Sequence, residues 1–197
     1  MNQNRKLVLY IAMSLDGYIA ADGDNLDFLE LGSKFGEDYG YDEFIKTVDT
    51  VIIGKRTYDW VMNKVDKFPH EDKETYIITH QNIPNQGNIN FYNGNIKELV
   101  ENLKMKQGKN IFCDGGAQIV NELLKHSLID EFNLFVFPVL LGNGIKLFQD
   151  GRPNLELKLQ KIKKYKSGVL EICYNCWFLL RCSLKYRKII SLISAWL

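Results

Sequence analysis

The sequence predicts an α/β fold, with a mainly parallel central sheet covered by helices on both faces and closed by antiparallel strands near the C-terminus. Three observations predict it. Apolar runs at residues 7–12, 51–54, 75–79 and 110–113 lack polar alternation, the pattern of strands buried on both faces. Segments with helical spacing separate those runs, and strands alternating with helices build parallel sheets. The chain of 197 residues, 46% hydrophobic and 25% charged, is long and apolar enough for one domain with a sizeable core.

Each element has its own reason. The run at 7–12, preceded by Arg5 and Lys6, is too short for a secretion signal and reads as a strand. Residues 16–25, dense in Gly, Asp and Asn, read as a loop. A short helix over 42–47 would turn Phe44 and Ile45 inward, with Val48 behind them. The strand 51–54 leads into a helix over 57–63, with Tyr58, Val61 and Met62 facing a core. The strand 75–79 is rich in β-branched and aromatic residues. Residues 96–106 form the clearest helix, because Ile96, Leu99 and Leu103 share one stripe while Lys97, Glu98, Glu101 and Lys104 fall off it. After the strand 110–113, Asp114, Gly115 and Gly116 turn into a helix that reaches Lys125. The strand over 130–139 contains Pro138, which suits a place near a sheet edge. Strands over 155–164 and 168–174, joined at Lys166, Ser167 and Gly168, close the sheet.

A formal net charge of +1 offers no basic excess for nucleic acid. Four cysteines in a chain of this length make no disulfide framework, so a reducing cytoplasm is the expected location. His70, His80 and His126 are scattered, and Cys173, Cys176 and Cys182 make at most half a zinc site, so no metal is expected. Cys113, at a strand end, reads as a packed thiol. Residues 175–197 differ from the rest: they hold no acidic residue, and they carry Trp177, Trp196, Arg181, Lys185, Arg187 and Lys188. Such a tail could touch a membrane surface, cover an apolar patch, or be non-native in origin; the abrupt change of composition favours the last.

Two places put a strand, a glycine turn and a helix start in succession: Gly54, Lys55, Arg56 and Thr57, and Asp114, Gly115, Gly116, Ala117 and Gln118. A helix start presents unpaired amides and partial positive charge, which suits phosphate, and glycine lets a phosphate approach the backbone. Each turn taken singly is more often structural than functional. Two on one parallel sheet suggest a ligand with a diphosphate at the carboxyl ends of the strands. No Walker phosphate loop is present, and no G-x-G-x-x-G follows the first strand, so nucleotide hydrolysis and a Rossmann dehydrogenase are disfavoured.

Residues 11–20, 49–58, 76–79, 114–118 and 128–131, the last followed by Pro138, Gly142 and Gly144, together resemble the dihydrofolate-reductase superfamily. The match is to its bacterial branch, related to the reductase domain of the riboflavin-pathway deaminase/reductase, and it covers residues 5–174 in order. The resemblance implies a dihydrofolate-reductase-like reductase domain over 1–174, dependence on NADPH, and a homodimer paired through edge strands, for which the apolar residues 134–140 are suited. It also implies roles by position. Ala12 and Ile19 would flank the nicotinamide, with Asp16, Gly17 and Tyr18 in a mobile loop over it. Gly54, Lys55, Arg56 and Thr57 would hold the diphosphate and the adenosine-side phosphate, and Thr79 and His80 would lie near the ribose and its 2′-phosphate. Asp114, Gly115, Gly116, Ala117 and Gln118 would contact the diphosphate and the nicotinamide end.

On the substrate side the resemblance calls for a carboxylate that binds and helps protonate a heterocycle. Asp27 is the first candidate and Asp42 the second, and a carboxylate in an apolar pocket would have the raised pKa that acid chemistry needs. Tyr39, Tyr41 and Phe44 are candidate walls for a flat ring, with helix core as the competing role. The expected activity is hydride transfer to a C=N or C=O group of dihydrofolate or of a riboflavin-pathway ribosylaminopyrimidine-like compound. The alternative is a non-catalytic nucleotide-binding module of the same fold.

Overall fold

The computed structural model describes residues 5–176, apart from the Ser33 side chain. The strands are β1 (Leu7–Ser14), β2 (Tyr18–Ala20), β3 (Val48–Gly54), β4 (Glu74–Ile78), β5 (Ile89–Tyr92), β6 (Asn110–Gly115), β7 (Glu131–Phe137), β8 (Ile145–Lys146), β9 (Leu157–Lys164) and β10 (Leu170–Cys176). The helices are α1 (Glu30–Ser33), α2 (Tyr41–Lys46), α3 (Lys55–Met62), α4 (Ile96–Met105) and α5 (Ala117–Lys125). Eight strands form one sheet in the order β5-β4-β3-β6-β1-β7-β10-β9, and β2 pairs with β8 beside it. The pairs from β5 through to β7 are parallel, and β10 is antiparallel to both β7 and β9. Hence β10 alone runs against the other seven.

Alternation along the strands splits the core in two. Leu7 and Leu9 of β1, Ile52 of β3, and Ile111 and Cys113 of β6 point to one face, where α4 and α5 cover them. In α4, Ile96, Leu99, Val100 and Leu103 are the buried stripe, and Asn95 caps the helix by accepting from the amides of Lys97 and Glu98. In α5 the buried residues include Val120, Leu123 and Leu124. Asn121 is buried among them: its amide donates to the carbonyls of Ala117 and Leu147 and its oxygen accepts from Gln149 N. That side chain joins α5 to the chain after β8.

The opposite face receives Tyr10, Ala12, Val51, Phe112, Phe135 and Phe137, together with residues from the 26–41 segment and α2. Further along this face, Ile53 and Ile77 pack under Tyr58, Val61 and Met62 of α3. At the other end of the sheet, the buried Arg5 donates to Asp49, to Thr50 Oγ1 and to the carbonyls of Leu103 and Lys109.

Several expectations change. Pro138 does not mark an edge strand, because β7 lies between β1 and β10; the proline follows the last ladder residue, where its missing N–H costs nothing. The apolar stretch 134–140 therefore offers no free edge for pairing, and β5 and β9 are the edges. The segment 16–25 is more than a loop, since it contains β2 and a 3₁₀ turn over Asp22–Asp24. β10 runs to Cys176, two residues past the expected boundary at 174. The readings of the remaining tail, with Cys182, fall on residues 177–197, outside the described residues. No helix among the described residues is long and apolar enough to cross a membrane.

Candidate active site

β1, β3, β4 and β6 are mutually parallel or joined by parallel pairs, so their carboxyl ends emerge along one rim. Gly54 closes β3 and leads into α3, and Gly116 follows β6 and leads into α5. The two turns lie side by side. A Cβ placed on Gly54 would stand 3.0 Å from Ile119 Cγ1 of α5, 3.6 Å from the carbonyl oxygen of Gly115 and 3.7 Å from the amide nitrogen of Gly116. A Cβ on Gly116 would stand 2.9 Å from Thr57 Oγ1. Neither helix start is capped by a side chain. Gly115 has φ +96°, in the region that favours glycine, and the Gly115–Gly116 peptide is cis.

The cations beside the first turn have acidic partners. Lys55 Nζ lies 2.6 Å from both oxygens of Asp59, one helical turn along α3. Arg56 makes a bidentate pair with Asp24, at 2.7 and 2.8 Å, while its side chain is 74% exposed. An exposed pair of this kind contributes about 0–1 kcal/mol, so an arriving phosphate can displace the carboxylate. Thr79 is buried at the end of β4 and accepts from Gln81 N, whereas His80 is exposed. Just beyond lies a shallow concavity of about 280 Å³ lined by Gln81, Asn82, Ile83, Pro84, Phe91 and Asn93.

The loop after β1 is held by Asp16. Its carboxylate accepts from Ser14 Oγ at 2.5 Å, Leu141 N at 3.1 Å and Gly142 N at 2.7 Å. The Ser14 hydroxyl and these amides hold the Asp16 carboxyl down at about 2. Asp16, Gly17 and Tyr18 thus form an anchored strap beside the rim, and Ala12 and Ile19 pack toward opposite faces of the sheet.

Of the carboxylates proposed for acid chemistry, Asp27 and Asp42 are both exposed. Asp27 exchanges hydrogen bonds with Asn25, and Asp42 occupies the first turn of α2. Asp114 sits differently. A register shift between β3 and β6 pairs Ile52 with Cys113 and Ile53 with Gly115, leaving Asp114 as the extra residue. Its side chain is 28% exposed, and burial pushes its carboxyl up to about 7. Facing it are His70, whose Nε2 is 3.7 Å from Asp114 Oδ2, and Tyr41, whose hydroxyl is 3.4 Å from the same nitrogen. Burial raises the Tyr41 hydroxyl above its ordinary range, with the charge of Asp114 adding to the shift.

The aromatic candidates separate in the same way. Phe44 stacks on Tyr10 at 4.4 Å and meets Phe112 edge-on, so it belongs to the core. Tyr39 packs against Phe135, Phe137 and Tyr165, and its carbonyl accepts from the Tyr10 hydroxyl with the Tyr165 hydroxyl 2.9 Å away. That anchorage fixes the entry to α2 and so the position of Tyr41. Sequence reasoning missed His70 and gave Asp114 only a cofactor role. The available signal was an acid closing the apolar run Ile111, Phe112 and Cys113 directly before two glycines.

The family described as the RibD C-terminal domain matches residues 5–170. The chain is 40% identical over 166 residues to the uncharacterized protein YwjB of Bacillus subtilis (strain 168), covering 84% of this chain and 95% of that one. Among solved structures it is similar to a Shewanella sp. PV-4 protein whose name provisionally assigns it to riboflavin biosynthesis, with TM-score 0.77, 28% identity, and 87% and 98% of the two chains covered. It shares its fold with dihydrofolate reductase from Enterococcus faecalis, a structure complexed with NADP(H), at TM-score 0.63 and 16% identity over 90% and 99% of the chains.

Proposed function

Because the chain belongs to the RibD C-terminal domain family, we propose that it is an NADPH-dependent reductase acting on a C=N or C=O group of a small heterocycle, with Asp114 as its proton-holding carboxylate. The observation that carries this reading is the junction of the Gly54 and Gly116 turns, with Asp114 one residue from the second turn.

The residues fit a dinucleotide. Two uncapped helix starts lie side by side, and Gly54 occupies a place where a side chain would press on Ile119. The amides opening α3 and α5 would hold the diphosphate, with the Thr57 hydroxyl between them. Arg56 would exchange Asp24 for a phosphate, and Thr79 with the concavity beyond it would receive the adenosine end. When bound, the cofactor supplies a hydride from its nicotinamide ring. The chain's own part is to align the heterocycle, exclude water and handle the proton. Asp114 Oδ carries that proton near neutral pH, because burial has brought its carboxyl to about 7. Tyr41, held beside it, would wall the ring.

Both dihydrofolate and a riboflavin-pathway ribosylaminopyrimidine suit such a site. Screening both classes while following the absorbance of NADPH tests the reading: steady oxidation with one class supports it, and no oxidation together with no NADPH binding contradicts it. The cytoplasm is the proposed location. As a homodimer the protein would pair through β9, the edge strand on which Leu159 is 47% and Ile162 58% exposed; light scattering on an Ile162→Lys variant checks that.

A further inference from the structure

His70 lies on the connection between α3 and β4, outside every site element anticipated from sequence. It is 5% exposed. Phe68 meets its ring edge-on at 5.3 Å and Phe112 at 5.8 Å. Its Nδ1 is buried with no hydrogen-bond partner. Its Nε2 faces two oxygens, the Tyr41 hydroxyl at 3.4 Å and Asp114 Oδ2 at 3.7 Å. A histidine that served packing alone would not need its second nitrogen aimed at a carboxylate.

We propose that His70 is a positioning residue that acts through Asp114, its Nε2–H held toward the carboxylate and the Tyr41 hydroxyl so as to orient the carboxylate and favour its charged form. The inference deepens the reading of Asp114 as the proton-holding group and rests on it.

The tautomer follows from the surroundings. A neutral imidazole carries one N–H. On Nδ1 that proton would be a buried donor without an acceptor, and the Nε2 lone pair would gain the Tyr41 O–H as a donor while facing a carboxylate. On Nε2 the proton meets two acceptors and leaves only an unpaired acceptor behind, which is the smaller cost. A second proton would have to sit on Nδ1 among aromatic rings, so the imidazole stays neutral. Burial, with Lys73 adding to it and Asp72 opposing, accordingly pushes His70 down to about 4. The titratable and charged groups around the pair are Asp72 and Lys73 from the turn of His70, Tyr41 and Asp42 from α2, and Asp114 from β6. At 3.7 Å the contact with Asp114 is longer than a hydrogen bond, yet the N–H dipole points its positive end at the carboxylate. Such contacts tighten when a ligand closes the site.

The test is an NMR titration of the ligand-free full chain. In the wild-type protein the ¹⁵N shifts of His70 are expected to report the Nε2–H tautomer at pH 8, where the Asp114 carboxyl is ionised. A proton found on Nδ1 overturns the proposal without any variant having to fold. His70→Phe keeps the ring buried and removes the donor, so the carboxyl ¹³C midpoint of Asp114 should move up by roughly half a unit or more. His70→Gln, which returns an N–H at similar reach, should bring it back toward the wild-type value. An Asp114 midpoint that is the same in wild-type protein and His70→Phe overturns the proposal. These readouts need neither cofactor nor turnover. If the coupling appears while NADPH is neither bound nor oxidised, the reductase reading fails while the positioning role stands. If NADPH is oxidised with a pH profile that His70→Phe leaves in place, the positioning role fails and the reductase reading stands.

Discussion

The two faces of the sheet are built from the same strands and differ in almost everything else. Under α4 and α5 the core is mostly aliphatic and closed: Leu7, Leu9, Ile52, Ile111 and Leu123 are all 0% exposed. Under α2 and the 26–41 segment it is aromatic and hydroxyl-rich, with Tyr10, Tyr39 and Tyr41 only partly buried and joined by hydrogen bonds to their neighbours. The contrast is sharpest at two adjacent residues of β6. Cys113 faces the first side, where burial pushes its thiol up to about 12 and makes it inert near neutral pH. Asp114 faces the second, where burial pushes its carboxyl up to about 7. Both faces are packed, and the second also sets polar side chains among its aromatic rings.

The largest effect is expected from Asp114→Asn, which removes the carboxylate proposed to hold the proton and should lower turnover by about 100- to 10,000-fold while leaving the folded structure in place. Steady-state kinetics alongside circular dichroism checks it. On the other face, Leu123→Ala should cost about 2–5 kcal/mol of stability, read by denaturant unfolding, with kcat of the folded fraction unchanged. Asn95→Ala on that same face removes only the cap of α4 and should cost about 1 kcal/mol.

The smallest effect is a pH dependence of stability. Asp114 rises from 3.8 to about 7 on folding, so its contribution is complete below pH 3.8 and is lost as pH climbs to 7. His70 falls from 6.5 to about 4, so its contribution is complete above pH 6.5 and is lost as pH drops to 4. The two oppose each other between those limits, and above pH 6.5 only the decline due to Asp114 remains. Thermal melts between pH 6.5 and 8 should therefore flatten in Asp114→Asn relative to wild type.

The legible parts were those whose cause is local. α4 showed itself through the stripe of Ile96, Leu99 and Leu103, and both glycine turns showed themselves because a strand, small residues and a helix start follow in succession. β5 did not, because its four residues, Ile89–Tyr92, are all half-buried and carry no alternation. The β2–β8 pair was invisible since Asp16 and Gly144 create it from a distance: a Cβ at Gly144 would collide with the carbonyl of Ala20. Asp114 was underread for the same reason. Its environment comes from Tyr41 and His70, far away along the chain, whereas Asp27 and Asp42 looked suitable only while their exposure was hidden. Pro138 misled because its place just past β7 satisfies the edge-strand rule without an edge.

The claim on which the rest depends is that the turns after β3 and β6 make one binding site. Titrating NADPH into the ¹⁵N-labelled full chain while following the amides of Lys55, Arg56 and Thr57 together with those of Ala117 and Gln118 tests it directly. Both groups are expected to shift together along one binding curve. Movement at one turn alone, or at neither, would contradict it.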